Sequence, residues 1–405
     1  MQPQYSAEIG APPPPPGNPI KARRQLWLAL TIILVAVLLG GGWDQVWHLT
    51  HPFDGFFSPP HVFVYGCCTI AAAVILGMVL TPSIRLALGP SFRLPIFPFP
   101  MPGSLVIFGS GIVLAGLGGL VFDNIWHTTF GLDETFWSFP HALIGWAELI
   151  ITLGAISCHL VLRRAESLRW YTALFLGLLL MLASAVPFMG PLVSNRSIAI
   201  VQAQTATSIL ASQPPALHAL RIYMMWNLSR ANPLLVVFAP LWVGAILAFF
   251  RRLDRRSWLL VVLVALWTLL DTTRSQAMVL ATAAHQPSLV EHAANWSPLP
   301  LLLPTLLLLL LSVPRFRIPT LRAWGVAGFV LGLQLYQTFV LTTPGLLLCL
   351  VAIPSMLLGK RIGERTYDII ARPSSLPAVM TVIFLGIAVP LVTGMVDLTL
   401  RMNTP

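Results

Sequence analysis

Long apolar segments, separated by short polar or proline-rich turns, occupy nearly the whole chain from residue 26 onward. Segments of about twenty apolar residues have the length of a membrane-spanning α-helix. The polar turns divide the chain into eleven predicted spans: 26–48, 60–80, 104–127, 139–162, 170–190, 234–250, 257–277, 298–313, 322–342, 344–359 and 376–397. The predicted fold class is therefore all-α, a polytopic transmembrane helix bundle.

A polar pattern interrupts the apolar sequence twice with nearly the same spacing. The residues of the first copy are Asp44, Trp47, His48, Asp54, Ser58, Pro60 and His61, and those of the second are Asp123, Trp126, His127, Asp133, Ser138, Pro140 and His141. Each copy begins at the end of one predicted span and finishes at the start of the next. The sequence therefore predicts a tandem parallel repeat of two helical hairpins at the N-terminal end.

Composition places this pattern in a lipid environment. The chain is 56% hydrophobic and 9% charged, which excludes an ordinary soluble domain and makes the lipid bilayer its first partner. The net charge of +10 comes from basic clusters in the turns, such as Arg251, Arg252, Arg255 and Arg256, so we predict no nucleic-acid partner. Basic residues favour the cytoplasmic side. This predicts a multi-pass protein of the plasma membrane with a cytoplasmic N-terminus and an extracytoplasmic motif face.

The same features predict the domain organisation. Residues 1–25 contain the run APPPPPGNP and are expected to form a disordered cytoplasmic tail. Residues 26–165 contain the duplicated hairpins. Residues 166–405 are predicted to form seven further transmembrane helices, with outer loops at 191–233 and 278–297.

The repeated residues have the chemistry of metal ligands. Asp44 and His48 are spaced i,i+4, as are Asp123 and His127, so each pair can project from one helix face. Ser58 and Ser138 are predicted N-caps, which places His61 and His141 in the first turn of the returning helices. One carboxylate with two imidazoles can bind a divalent transition metal and leave coordination positions open.

Other polar residues extend this interpretation. Asp54 and Asp133 could orient the imidazoles by hydrogen bonding, and Glu148, inside the fourth predicted span, is a candidate proton relay. The two copies could form two mononuclear sites or one dinuclear site. The alternative is structural, since Trp and His are common at membrane interfaces and an Asp–His pair can simply form a hydrogen bond.

The motif Asp44-x3-His48-x12-His61 resembles the metal site within the transmembrane region of particulate methane and ammonia monooxygenases. The resemblance covers about twenty residues in each copy, and the second copy, Asp123-x3-His127-x13-His141, is one residue longer. It implies a transition-metal cofactor at these residues, with copper favoured and iron and zinc as alternatives. The pattern is also similar to one in bacterial multi-pass membrane proteins, and that similarity implies no function.

Three functions fit these features. The first is an integral membrane metal-binding protein, with a copper- or iron-dependent oxidoreductase as its enzymatic form. Such an enzyme would need an external electron donor or partner subunits. The second is an ion- or proton-coupled transporter that uses the same residues. The third is a membrane glycosyltransferase, based on Asp133 and Glu134 in an early outer loop. The sequence leaves open whether the chain is an enzyme.

Overall fold

A computed structural model describes residues 17–50, 57–130, 138–163, 168–189, 235–285, 300–312, 319–338 and 345–403, and these ranges are almost entirely helical. The predicted all-α class is therefore confirmed. Residues 1–16 of the predicted tail, 1–25, lie outside the described residues, as do residues 191–233 and 286–297 of the predicted outer loops.

The N-terminal part contains both hairpins. Its helices are α1 (Pro19–Val35), π1 (Ala36–Gly40), α2 (Gly41–Thr50), α3 (Pro59–Leu80), α4 (Pro82–Ala87), α5 (Gly103–Gly116), π2 (Leu117–Phe122), α6 (Asp123–Phe130), α7 (Phe139–Arg163) and α8 (Trp170–Met189). Between α4 and α5, the short strands β1 (Ser91–Phe92) and β2 (Met101–Pro102) pair antiparallel, with Ser91 opposite Pro102.

The remaining described helices lie in the C-terminal half of the chain. They are α9 (Leu235–Leu253), α10 (Ser257–His285), α11 (Leu302–Leu311), α12 (Thr320–Thr338), α13 (Gly345–Ala371) and α14 (Leu376–Asn403). α9, α12 and α13 pack against one another, and α14 packs against α7.

Several of these helices are suited to a membrane. Within the described ranges, five helical segments are long and apolar enough to cross one: Pro19–Asp44, Pro59–Leu80, Gly103–Trp126, Phe139–Arg163 and Val236–Leu253. These helices support a multi-pass membrane protein in contact with the bilayer. Each predicted span contains a helix, but α11 has 10 residues, so the number eleven stays a prediction.

Two helix boundaries differ from the predicted ones. α1 begins at Pro19, seven residues before the predicted first span, because the side chain of Asn18 accepts a hydrogen bond from the Lys21 N–H at 2.9 Å and Pro19 suits the first helical turn. α10 continues to His285, so residues 278–285 of the predicted outer loop are helical.

The central helix of the described fold is α7. Buried side chains on this helix contribute to two hydrophobic clusters, one shared with α1 and α3 and the other with α8, α9 and α14. Large apolar side chains on the outer helices remain exposed, for example Ile70 on α3 and Phe384 on α14. A central helix with apolar outer faces around it is the expected arrangement for a bundle surrounded by lipid.

Glycines allow the two helices of the second hairpin to approach closely. A β-carbon on Gly111 of α5 would lie 2.6 Å from the backbone nitrogen of Ile151 on α7. One on Gly154 of α7 would overlap the backbone of Phe108 on α5. Small residues at such crossings let helix backbones touch inside a membrane. The hairpin that carries Asp123 and His141 is thus held by direct backbone packing.

Basic side chains anchor the end of the bundle opposite to the repeated motif. Arg23, near the start of α1, donates a hydrogen bond to the carbonyl of Leu162 on α7 at 2.8 Å. Arg256, between α9 and α10, donates to the carbonyl of Leu168 at 2.8 Å and to Asp254 at 2.9 Å. The first bond joins α1 of the first hairpin to α7 of the second, and the bond to Leu168 joins the segment before α8 to the segment between α9 and α10.

Candidate functional site

Each hairpin adopts π-helical winding just before its acidic residue. π1 precedes α2, which contains Asp44, and π2 precedes α6, which begins at Asp123. A π turn changes the angular position of the residues that follow it, and π segments are frequent at functional sites. Gly40 and Gly119 lie in these segments, each four residues before the acid. The two acids therefore follow the same local distortion of the helix.

The first hairpin brings Asp44 and His61 into contact. His61 lies in the first turn of α3, and its Nε2 atom is 3.0 Å from Oδ1 of Asp44. Both side chains are largely buried, with 25% of Asp44 and 11% of His61 exposed. The structure thus brings together two of the three predicted ligands of the first site.

Ser58 has the predicted position but not the predicted hydrogen bond. α3 begins at the next residue, yet the buried Ser58 hydroxyl has no hydrogen-bond partner among the described groups. Pro60, at the second helical position, has no N–H, so only the N–H of the third position is left for a capping bond, and the Ser58 hydroxyl does not accept it. Ser58 is therefore the N-cap residue by position, as predicted, and the predicted start of the helix is confirmed, but its side chain makes no capping hydrogen bond.

The acidic residue of the second hairpin, Asp123, is more deeply buried than Asp44 of the first. Asp123 is 3% exposed, and Ser138 immediately precedes α7 and is fully buried. The Ser138 hydroxyl lies 3.2 Å from Nδ1 of His141, and the tautomer of the ring decides which group donates. This contact orients the imidazole through Nδ1, so Nε2 is the candidate ligand atom, as it is in His61.

Tyr65 links the two hairpins. It lies on α3 four residues after His61, and the centroids of the two rings are 5.8 Å apart. Its hydroxyl group points across to Oδ2 of Asp123 at 3.5 Å, the long limit of a direct hydrogen bond. Tyr65 is not among the predicted site residues, because a single aromatic residue in an apolar helix forms no pattern and the contact joins residues 58 positions apart in the sequence.

Glu148 faces the first hairpin as well. It lies seven residues after His141, and Cys68 lies seven residues after His61, so the two residues occupy matching positions of the two copies. Their side chains are half-buried and close enough for the carboxylate charge to act on the thiol. The predicted proton-relay candidate therefore lies next to α3, beneath the motif residues.

The remaining predicted site residues are only partly described. Among the described side chains, no three His, Cys, Asp or Glu residues form a group that could hold a metal. His48 and His127 belong to α2 and α6 by their backbone, each four residues after its acid, but their side chains lie outside the described part. Asp54 and Asp133 lie in 51–56 and 131–137, which are also outside it.

In chemical terms, the described groups can accept and donate protons and can offer oxygen and nitrogen to a cation. Asp44 and His61 from one hairpin, Tyr65 between the hairpins, and Asp123 and His141 from the other lie at the same end of the bundle. Comparison with known proteins gives no family or function for this arrangement, because no family model, curated protein or solved structure matches the chain.

Proposed function

We propose that the chain is an integral membrane metal-binding protein with one Asp/His/His site in each hairpin. Asp44, His48 and His61 form the first site, and Asp123, His127 and His141 form the second. The ligand is a divalent transition metal, with copper favoured and iron and zinc as alternatives. The motif face is extracytoplasmic, since the basic clusters at the other end favour the cytoplasm.

The contact between Asp44 and His61 carries this proposal. Ligands bound at 2.0–2.1 Å to one tetrahedral or octahedral ion lie about 3 Å apart. The distance of 3.0 Å between Oδ1 of Asp44 and Nε2 of His61 fits that requirement. His48 lies one helical turn beyond Asp44 in α2, the spacing at which a third ligand can share the ion.

The same element order in both hairpins supports a tandem repeat. In each hairpin, a long helix passes through a π segment to a short helix that carries Asp and His, and the returning helix presents the second His in its first turn. Ser138 holds His141 in the second site. Asp54 and Asp133 are assigned the role of orienting the remaining imidazoles.

A bound copper or iron ion would give these sites redox chemistry. In the resulting oxidoreductase, the protein would hold the metal between two helices, and Glu148 would accept or supply a proton beneath it. Electrons would come from an external donor or partner subunit. The metal-binding function does not depend on this enzymatic step.

Metal content of the purified protein tests the proposal. We expect near-stoichiometric copper, iron or zinc by mass spectrometry in the detergent-purified full chain, and loss of that metal in the double variant His48→Ala/His127→Ala. His159→Ala is the matched control, because His159 contacts Trp27 at the opposite end of the bundle. Absence of metal from the wild-type protein, even after reconstitution with each ion, would refute the proposal.

A proton-coupled transporter is the second candidate. The observation that favours it is a continuous series of contacts between ionisable side chains, from Asp44 through His61 and Tyr65 to Asp123. Glu148 lies nearby. Ionisable side chains at such positions are typical of proton pathways. Asp133 and Glu134, on which the glycosyltransferase hypothesis depends, lie outside the described residues.

A further inference from the structure

Tyr65 is in contact with a proposed ligand of each site. Its ring packs beside His61 on the same helix, with the ring centroids 5.8 Å apart. Its hydroxyl lies 3.5 Å from Oδ2 of Asp123, which belongs to the other hairpin. A single side chain therefore extends from the first site to the second.

The second hairpin provides space for this ring. A β-carbon on Gly119, in π2, would lie 3.1 Å from Cε1 of Tyr65, closer than a normal carbon–carbon contact. A glycine at this point lets the tyrosine approach Asp123. The position that matches Tyr65 in the second copy is Gly145, so only one of these two matching positions carries a tyrosine.

Asp44 and Asp123 also differ in burial, and this difference explains why only Asp123 needs a hydrogen bond from a tyrosine. Asp123 is 3% exposed, whereas a quarter of the Asp44 side chain is accessible to solvent. A buried carboxylate needs hydrogen-bond donors in place of water. The phenol hydroxyl of Tyr65 is a donor located beside one oxygen of Asp123, Oδ2.

On the basis of the proposed metal sites, we infer that Tyr65 is a positioning residue of the second site and couples divalent-metal binding at the two sites. A hydrogen bond to one carboxylate oxygen fixes the orientation of a metal ligand. Metal bound to His61 restrains the first turns of α3, and Tyr65 lies one turn further along. Filling the first site thus lowers the cost of ordering Tyr65 and raises the affinity of the second site.

Equilibrium titration with Cu²⁺ tests the positioning role. The metal-free full-length protein in detergent should bind two equivalents. Tyr65→Phe should still bind two, with the affinity for one of them reduced about tenfold, as is usual for a partner that orients a ligand. Tyr171→Phe is the matched control, since the Tyr171 hydroxyl accepts a hydrogen bond from Arg169 far from the motif. A Tyr65→Phe titration identical to that of the wild type would overturn the inference.

A second measurement separates positioning from a general structural effect. Asp44→Ala removes the first site, so the Cu²⁺ electron paramagnetic resonance spectrum of this variant reports the second site only, and that spectrum should change when Tyr65→Phe is added. If the two sites are coupled through Tyr65, Asp44→Ala should lower the Cu²⁺ affinity of the second site when Tyr65 is present. It should not lower that affinity in the Tyr65→Phe background. An unchanged spectrum, or an equal effect of Asp44→Ala in both backgrounds, would contradict the inference.

Glycine variants test the same contact without removing the hydroxyl. Gly119→Ala should displace the Tyr65 ring and reproduce the affinity loss, whereas Gly116→Ala, whose β-carbon has open space, should not. If the wild-type protein binds no Cu²⁺, the proposed function and this inference both fail. If it binds two equivalents and the Tyr65 and Gly119 variants match it, only the inference about Tyr65 fails.

Discussion

Nε2 of His61 lies 3.0 Å from Oδ1 of Asp44, and this contact joins the end of one long helix to the start of the next. The two residues are separated by a segment that includes the undescribed residues 51–56, so the contact does not follow from local helix geometry. It results from the way α2 and α3 pack against each other.

Replacement of Asp44 should remove one metal equivalent. Asp44→Asn keeps the shape of the side chain but removes the anionic oxygen that faces His61, so the bound metal should fall from two equivalents to one, and to none in Asp44→Asn/Asp123→Asn. The check is metal content by mass spectrometry. Asp368→Asn is the control, because Asp368 pairs with Arg252 on an exposed surface. Two retained equivalents in the double variant would show that the carboxylates are not ligands.

Replacement of Glu148 distinguishes transport from simple metal binding. If the chain moves protons, Glu148→Gln should abolish pH-dependent flux in proteoliposomes, because a carboxamide does not ionise near neutral pH and so cannot serve as a proton acceptor. Glu364→Gln is the control, since Glu364 pairs with Lys360 on α13, away from the hairpins. Flux that is equal in wild type and Glu148→Gln would argue against the transporter hypothesis.

The crossing of α9 and α13 should be sensitive to a single added side chain. β-carbons on Gly359 and Gly363 would overlap the carbonyl oxygens of Leu241 and Ala245, respectively. We expect Gly363→Leu to destabilise the protein by about 1–3 kcal/mol or more, the usual cost of overpacking. Thermal unfolding in detergent measures this effect. Gly77→Ala, at a site with open space, should be neutral or slightly stabilising, and an equal loss in both variants would contradict the packing argument.

Asp254 should contribute stability that depends on pH. Burial favours the neutral form, but the hydrogen bonds and charge of Arg256 outweigh it and hold the pKa of Asp254 below its usual value. A lowered pKa in the folded state means that the stabilisation is complete above the unfolded pKa, about 3.9, and is lost as pH falls through the folded value. The unfolding temperature of the wild type should therefore fall from pH 5 to pH 3 more steeply than that of Asp254→Asn. Parallel curves would contradict this assignment.

Apolar length was sufficient to predict the helices. The predicted span 170–190 corresponds to Trp170–Met189, and the Ser-Pro-Pro sequence correctly predicted that α3 starts at Pro59. These features depend on local chemistry, which the sequence contains directly.

Other features depend on contacts between distant residues. π1 and π2 have the same apolar composition as ordinary helix, so composition does not distinguish them. The contact of Tyr65 with Asp123 requires the relative placement of two hairpins, which no periodicity specifies. By contrast, the Gly359-x3-Gly363 spacing is a known signal for close helix packing and was available in the sequence.

The π segments make chain length as important as side-chain identity at these sites. A π turn accommodates one more residue than an α turn, and each residue of an α-helix advances by about 100° around the axis. If Leu117–Phe122 returned to regular α-helix with no change in the number of residues, the segment would turn about 100° further around the helix axis. Asp123 would then rotate by about a quarter turn relative to Gly103–Gly116, away from Tyr65 and the returning helix. The wide turn therefore lets this helix contain one residue more than a regular α-helix would, while Asp123 still faces Tyr65.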